Sequence, residues 1–89
     1  MGLSLLTDMK SYSIKTPQQL GAVLQGCRKA RALTQAQTGG RIGLPQKEIS
    51  KLEMNPGRTS LARVFRVLAA LDLEIVVRER GAADNASEW

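Results

Sequence analysis

Residues 35–54 read Gln35-Ala36-Gln37-Thr38-Gly39-Gly40-Arg41-Ile42-Gly43-Leu44-Pro45-Gln46-Lys47-Glu48-Ile49-Ser50-Lys51-Leu52-Glu53-Met54. Four positions in this window carry steric demands. The fifth, Gly39, is small where two helices would cross closely. The ninth, Gly43, supplies the positive φ that a tight inter-helix turn requires. The fifteenth and eighteenth, Ile49 and Leu52, repeat at helical spacing and predict an inward face. Together these predict a short helix from Gln35 to about Ile42, a turn through Leu44-Pro45, and a second helix from about Pro45 to Met54. That arrangement is a helix-turn-helix.

The flanking sequence extends the helical pattern. Thr16-Pro17-Gln18-Gln19 combines an N-cap, a proline suited to the first helical position and a glutamine able to reach back as in a capping box. Leu20, Val23, Leu24 and Cys27 follow as an apolar stripe, so a first helix is expected from Pro17 to about Ala32. Thr34-Gln35-Ala36-Gln37 repeats the cap. After the window, Asn55-Pro56-Gly57-Arg58 has loop composition. Thr59 or Ser60 caps a fourth helix, with Leu61, Val64, Phe65, Leu68 and Leu71 on one face. Beyond Asp72 the period changes. Leu73-Glu74-Ile75-Val76-Val77-Arg78-Glu79-Arg80 alternates and is rich in β-branched residues, which predicts a strand with Leu73, Ile75 and Val77 on one side. A lone strand is unstable in water, and the chain offers no second one. The simplest partner is therefore the same strand of a second copy, antiparallel about a two-fold axis. Continuation of the fourth helix is the competing reading. The expected organisation is an N-terminal arm over 1–15, a helical domain over 16–72, a dimerisation strand over 73–80 and a disordered tail over 81–89. The fold class is thus mainly α, four helices plus one strand paired across a dimer. Tail residues 81–88 are small and polar. Trp89, at its end, is either a binding anchor or an accident of sequence.

Charge divides the chain. From Lys10 to Arg66 eleven basic residues stand against two acidic ones, Glu48 and Glu53; from residue 67 onward two basic residues stand against five acidic ones. A basic body suggests a polyanion-binding surface. The chain has no histidine and a single cysteine. That removes metal-ligand clusters, intramolecular disulfides and the usual nucleophile–base pairs, so neither a cofactor nor an enzyme is expected. Cys27 reads as a small apolar core residue. Three aromatic residues, Tyr12, Phe65 and Trp89, are too few for a single-strand stacking platform. The absence of a secretory leader pattern and of a membrane-length apolar run leads to a cytoplasmic expectation.

A helix in the position of Pro45–Met54 fits the major groove, where each base pair displays its own donor and acceptor pattern. Gln46 and Lys47 lie near its start. Gln can pair with adenine through two hydrogen bonds, and Lys can donate to guanine. Ser50 and Lys51 lie one turn later, within reach of bases or phosphate. Gln35 is placed to hold a phosphate at the start of the preceding helix, and Arg41 joins the DNA-contacting set. For Arg41, Arg58, Arg63 and Arg66 a solvated surface is an equal reading.

The run Arg28-Lys29-Ala30-Arg31-Ala32-Leu33-Thr34-Gln35, then Gly43, then Gln46 to Glu53, resembles the phage-repressor (Cro/C1, or Xre) class of helix-turn-helix domains. That resemblance implies a buried ion pair between Arg28 and Glu53. Thr16–Leu20, Asn55-Pro56, Ser60–Leu68, Leu71–Glu74 and the terminal Glu88-Trp89 narrow it: the chain is similar to the HipB antitoxin family. The resemblance implies a homodimer with a two-stranded intersubunit sheet, binding to palindromic double-stranded operators in its own promoter, and association with a HipA-type serine/threonine kinase toxin. It also makes Trp89 a candidate toxin contact. A free-standing repressor without a toxin partner is the alternative. Two departures stand out. Thr38-Gly39 replaces the usual Leu-Ala, and Pro45 occupies the position of a base-reading lysine, so that contact is not implied here.

Overall fold

The computed structural model describes residues 11–80. The expectations for residues 1–10 of the arm and for the tail, Trp89 included, lie outside the described residues. Four helices follow in order: α1 Pro17–Ala30, α2 Gln35–Gly40, α3 Gln46–Met54 and α4 Leu61–Ala70, with a 3-10 turn at Pro56–Arg58 between the last two. Three of the four are capped by the expected hydroxyls. Thr16 and Thr34 each close a full capping box, with Gln19 and Gln37 reaching back, and Ser60 Oγ accepts from the Arg63 amide at 3.1 Å. Each such cap satisfies an amide the helix leaves unpaired, worth about 1 kcal/mol. Pro45 is the cap residue of α3 rather than its first helical residue, and no side chain caps that helix.

Helices α1, α2 and α4 end by one shared device. The residue after each C-terminal turn takes a left-handed conformation: Ala32 at φ 57°, Gly43 at φ 72° and Asp72 at φ 60°. The following leucine amide then closes back over the helix end. Leu33 N donates to Arg28 O at 3.1 Å, Leu44 N to Gly39 O at 2.9 Å and Leu73 N to Leu68 O at 2.8 Å. The same three leucines pack against the core, which is the hydrophobic contact that accompanies this type of cap. Only Gly43 announces itself by residue type, and this explains why α1 stops at Ala30 rather than near Ala32.

The core comprises Leu24 of α1, Ile49 and Leu52 of α3, and Val64, Val67, Leu68 and Leu71 from α4 and its end. Cys27 is buried as well. The buried stripe of α4 differs from the expected one: Val67 is fully buried, while Leu61 and Phe65 remain 66% and 49% exposed. The apolar arc of α4 is wider than the face its own chain covers. Thr38 is buried completely. Its hydroxyl donates to the Thr34 carbonyl at 2.9 Å, which lets a polar side chain sit in a fully buried position.

Residues 73–79 carry no regular secondary structure, so the expected strand over 73–80 is absent among the described residues. A β-strand requires a ladder, and one chain supplies no partner edge. Leu73, expected on the dimer face, is partly buried against its own chain's core after the turn at Asp72, while Ile75, Val76 and Val77 stay exposed. No helix of the described residues is long and apolar enough to cross a membrane.

Candidate nucleic-acid interface

The orientation of α3 follows from its anchors. Ile49 and Leu52 are 0% and 1% exposed. With 3.6 residues per turn, Gln46, Lys47 and Lys51 must then lie outward, and all three are exposed, with Ser50 half-buried beside them. The turn before α3 is tight. A Cβ on Gly39 would overlap the Leu44 carbonyl oxygen and crowd Ile49 Cγ1 at 3.2 Å. The small residue is thus required chiefly by the backbone of the turn, and secondarily by the neighbouring helix. Gly43 takes the positive φ.

Arg28 and Glu53 form a buried ion pair that joins α1 to the end of α3. Arg28 Nε donates to Glu53 Oε2 at 2.6 Å and Nη2 to Oε1 at 3.3 Å. Arg28 Nη1 also donates to the Leu33 carbonyl at 2.8 Å, which fastens the α1–α2 turn to the same guanidinium. The pair does not end there. Gln35 Nε2 donates to Glu53 Oε1 at 3.0 Å, and Gln46 Nε2 donates to Gln35 Oε1 at 2.6 Å. A continuous hydrogen-bonded line therefore runs from a buried charge to the exposed start of α3. No buried side-chain nitrogen or oxygen among the described residues lacks a partner.

Arginines fasten this unit to α4. Arg41, expected among the DNA-contacting residues, donates its Nη1 to the Ala70 carbonyl at 2.9 Å, where a cation meets the negative end of α4. Arg66 returns the contact, its Nη2 donating to the Ile42 carbonyl. Arg63 Nη1 donates to Glu48 Oε1 at 3.0 Å, and Lys51 Nζ lies 3.9 Å from Glu48 Oε2. Glu48 was not among the expected site residues. Its partner Arg63 is fifteen positions away, beyond any helical spacing that could have signalled it. Arg58 is exposed after α3. Among the described residues no cluster of His, Cys, Asp and Glu could hold a metal ion.

Residues 24–77 match the helix-turn-helix family model. The chain is 34% identical to Antitoxin HipB of Escherichia coli O6:H1, over 91% of this chain and 88% of that protein. This chain belongs to the HipB family of helix-turn-helix antitoxins. It is also 33% identical to Antitoxin HipB of Escherichia coli K12, over 89% of this chain and 86% of that protein. Among solved structures, a HipB variant in complex with an O2 20mer superposes with a TM-score of 0.76 at 31% identity, covering 80% of this chain and 99% of the other. HipB from a HipA-HipB-O2-O3 complex gives 0.75 at 30% identity, over 79% and 99%. The family is one of DNA-binding antitoxins, not of enzymes.

Proposed function

We propose that this chain is a dimeric antitoxin that binds palindromic operators in its own promoter, represses it, and neutralises a HipA-type serine/threonine kinase. The observation that carries the DNA half is the outward edge of α3. Gln46, Lys47 and Lys51 stand exposed on a helix whose opposite side is anchored by fully buried residues. In this reading Gln46 and Lys47 contact base edges, while Lys51, Ser50 and Gln35 serve bases or phosphate. Arg41 supports the interface through its hold on α4, with its remaining guanidinium nitrogens available for phosphate.

Homodimerisation draws support from apolar surface that one chain leaves uncovered: Leu61 and Phe65 on α4, and Ile75, Val76 and Val77 beyond it. Antiparallel pairing of residues 73–80 between two copies would supply the ladder a single chain lacks. The kinase partner draws support from the solved HipA-HipB-O2-O3 complex, in which the HipB chain superposes on this one. Trp89 is the proposed toxin anchor.

Two experiments test the reading. Operator affinity is measured against salt concentration, where each phosphate contact contributes about 0.9 to the log–log slope; a flat dependence would overturn the DNA half. The full chain and a 1–80 truncation are then each used to capture partners from lysate of the native cell, with bound proteins identified by mass. Recovery of a HipA-type kinase by the full chain supports the antitoxin half, and its loss with the truncation assigns the tail. Operator binding with no kinase recovered leaves a free-standing repressor and sinks the antitoxin half.

A further inference from the structure

Two arginines cross between α2 and α4 in opposite directions. Arg41, the residue that closes α2, donates its Nη1 to the carbonyl of Ala70, the last residue of α4, at 2.9 Å. Arg66, on α4, donates its Nη2 to the carbonyl of Ile42, just past the end of α2. A helix end leaves carbonyls such as that of Ala70 without an intrahelical partner, and a cation beside either helix end meets the negative end of its dipole. Each helix thus supplies the arginine that closes the other. Apolar packing through Val64, Val67, Leu68 and Leu71 sets which side of α4 turns inward. That attraction is non-directional. Hydrogen bonds weaken steeply with angle, so they resist sliding and tilting of one helix on another more sharply. A third tie lies toward the start of α4, where Arg63 Nη1 meets Glu48 Oε1 of α3 at 3.0 Å. One tie alone would let α4 swing about it, and the reciprocal pair further along removes that freedom.

The two sides of this joint face different tasks. Leu61 and Phe65 on α4 belong to the exposed apolar surface proposed for dimerisation. Gln46 and Lys47 start α3, which follows directly from the α2 turn. The joint between α2 and α4 is therefore the link between the dimer face and the recognition helix. One added base pair between half-sites moves the second by about 3.4 Å and turns it by about 34°. A dimer can follow that displacement only if some joint gives.

We propose that Arg41 and Arg66 form a reciprocal brace that sets the half-site spacing of the operator. They are positioning residues: they hold α3 at a fixed angle to the dimer face on α4, so that an operator of the wrong spacing is bound only by breaking their contacts. The inference rests on the reading of this chain as a dimeric operator-binding protein. It gives Arg41 and Arg66 a role distinct from phosphate contact. A phosphate contact weakens binding to all duplexes alike, whereas a brace changes the ratio of affinities between spacings.

The test uses palindromic duplexes built from the half-site that the wild-type full chain selects from a randomised double-stranded pool. The spacer is lengthened and shortened by one base pair, and a duplex with a single half-site serves as reference. Affinities are measured for wild type, Arg41→Met, Arg66→Met and the double variant, each established as folded by circular dichroism. Methionine keeps an apolar stem and removes the guanidinium. The wild type should prefer one spacing. If it binds every spacing and the single half-site equally well, the dimeric reading fails, and the brace with it. Given a wild-type preference, bonds that are already absent add nothing to the penalty for wrong spacing. One net hydrogen bond is equivalent to about two- to twelvefold in an equilibrium. The penalty should therefore shrink by about fivefold or more in the double variant and by about twofold or more in each single variant. Base preference within the half-site should stay as in wild type. If the double variant does not fold, the two single variants decide. Weaker binding with an unchanged ratio between spacings, or an altered base preference at unchanged spacing, would overturn the proposal while leaving the dimeric reading intact.

Discussion

Helix α1 contains two glycines that should respond oppositely to one substitution. Gly26 has nothing within 4 Å of where a Cβ would stand. Alanine there adds no clash and removes the entropy penalty of glycine in a helix interior, so Gly26→Ala is expected to stabilise by about 0.8–1 kcal/mol. Gly21 lies where α1 meets the end of α3. A Cβ there would overlap the backbone carbonyl oxygen of Glu53 and sit 3.2 Å from Pro56 Cδ. The obstacle is backbone, so it cannot yield by a rotamer change. Accommodating an extra carbon in a packed interior typically costs about 1–3 kcal/mol. Against the helix-propensity gain of about 1 kcal/mol, Gly21→Ala should be destabilising by up to about 2 kcal/mol. The strain also falls on Glu53, whose carboxylate holds Arg28 and Gln35. The measurement is thermal unfolding by circular dichroism at one fixed protein concentration, because the proposed dimerisation would make the midpoint concentration-dependent. For a domain of this size 1 kcal/mol corresponds to about 4–8 °C, so the two variants should separate on opposite sides of wild type. A Gly21→Ala protein more stable than wild type, as Gly26→Ala is expected to be, would refute the close approach of α1 to the α3 terminus.

Further perturbations probe the other joints. Glu53→Ala leaves the Arg28 guanidinium buried without its counter-charge and should cost about 3–5 kcal/mol, read by urea unfolding. Ala32→Gly and Asp72→Gly relieve left-handed conformations that a Cβ disfavours by about 1–2 kcal/mol; part of that gain is lost to greater unfolded-state freedom, so a midpoint rise of a few degrees is expected in each, and a fall in both would contradict the turn geometry. Arg41→Ala removes the contact to the Ala70 carbonyl and should cost about 1 kcal/mol or somewhat more in the same unfolding assay. Lys47→Ala should relax preference at one base pair per half-site by about 1–3 kcal/mol, whereas Lys51→Ala, if it serves phosphate, should weaken binding to all duplexes and lower the salt slope by about 1.

Local rules made much of this molecule legible. Threonine and serine caps, the apolar period of α1 and α3, and the pair Gly39 and Gly43 act within a turn or two of themselves, so residue type suffices to read them. The four-helix order and the outward edge of α3 followed from those signals. The same rules misjudged α4, because a hydrophobic period defines an apolar arc but not how much of it a neighbour covers. Hence Phe65 stayed half exposed and Val67 took the buried place. Nor do they foresee that the left-handed turn at Asp72 packs Leu73 against the core of its own chain. Neither Ala32 nor Asp72 advertises such a turn, since their conformation is imposed by the leucine that follows being pulled inward.

Longer-range contacts were beyond sequence reading for a different reason. Arg41 on Ala70, Arg63 on Glu48 and Gln35 on Glu53 join residues separated by 29, 15 and 18 positions. A basic residue on an outward face looks the same in sequence whether it points to solvent, to phosphate or to a carbonyl on another helix. The sequence by itself determined where helices start, which side of each is apolar and that the surface is basic, because those are properties of neighbouring residues. Only the tertiary structure decided which arginines hold the fold together and that the start of α3 is tied to a buried carboxylate, because those depend on where separate helices bring their side chains in space.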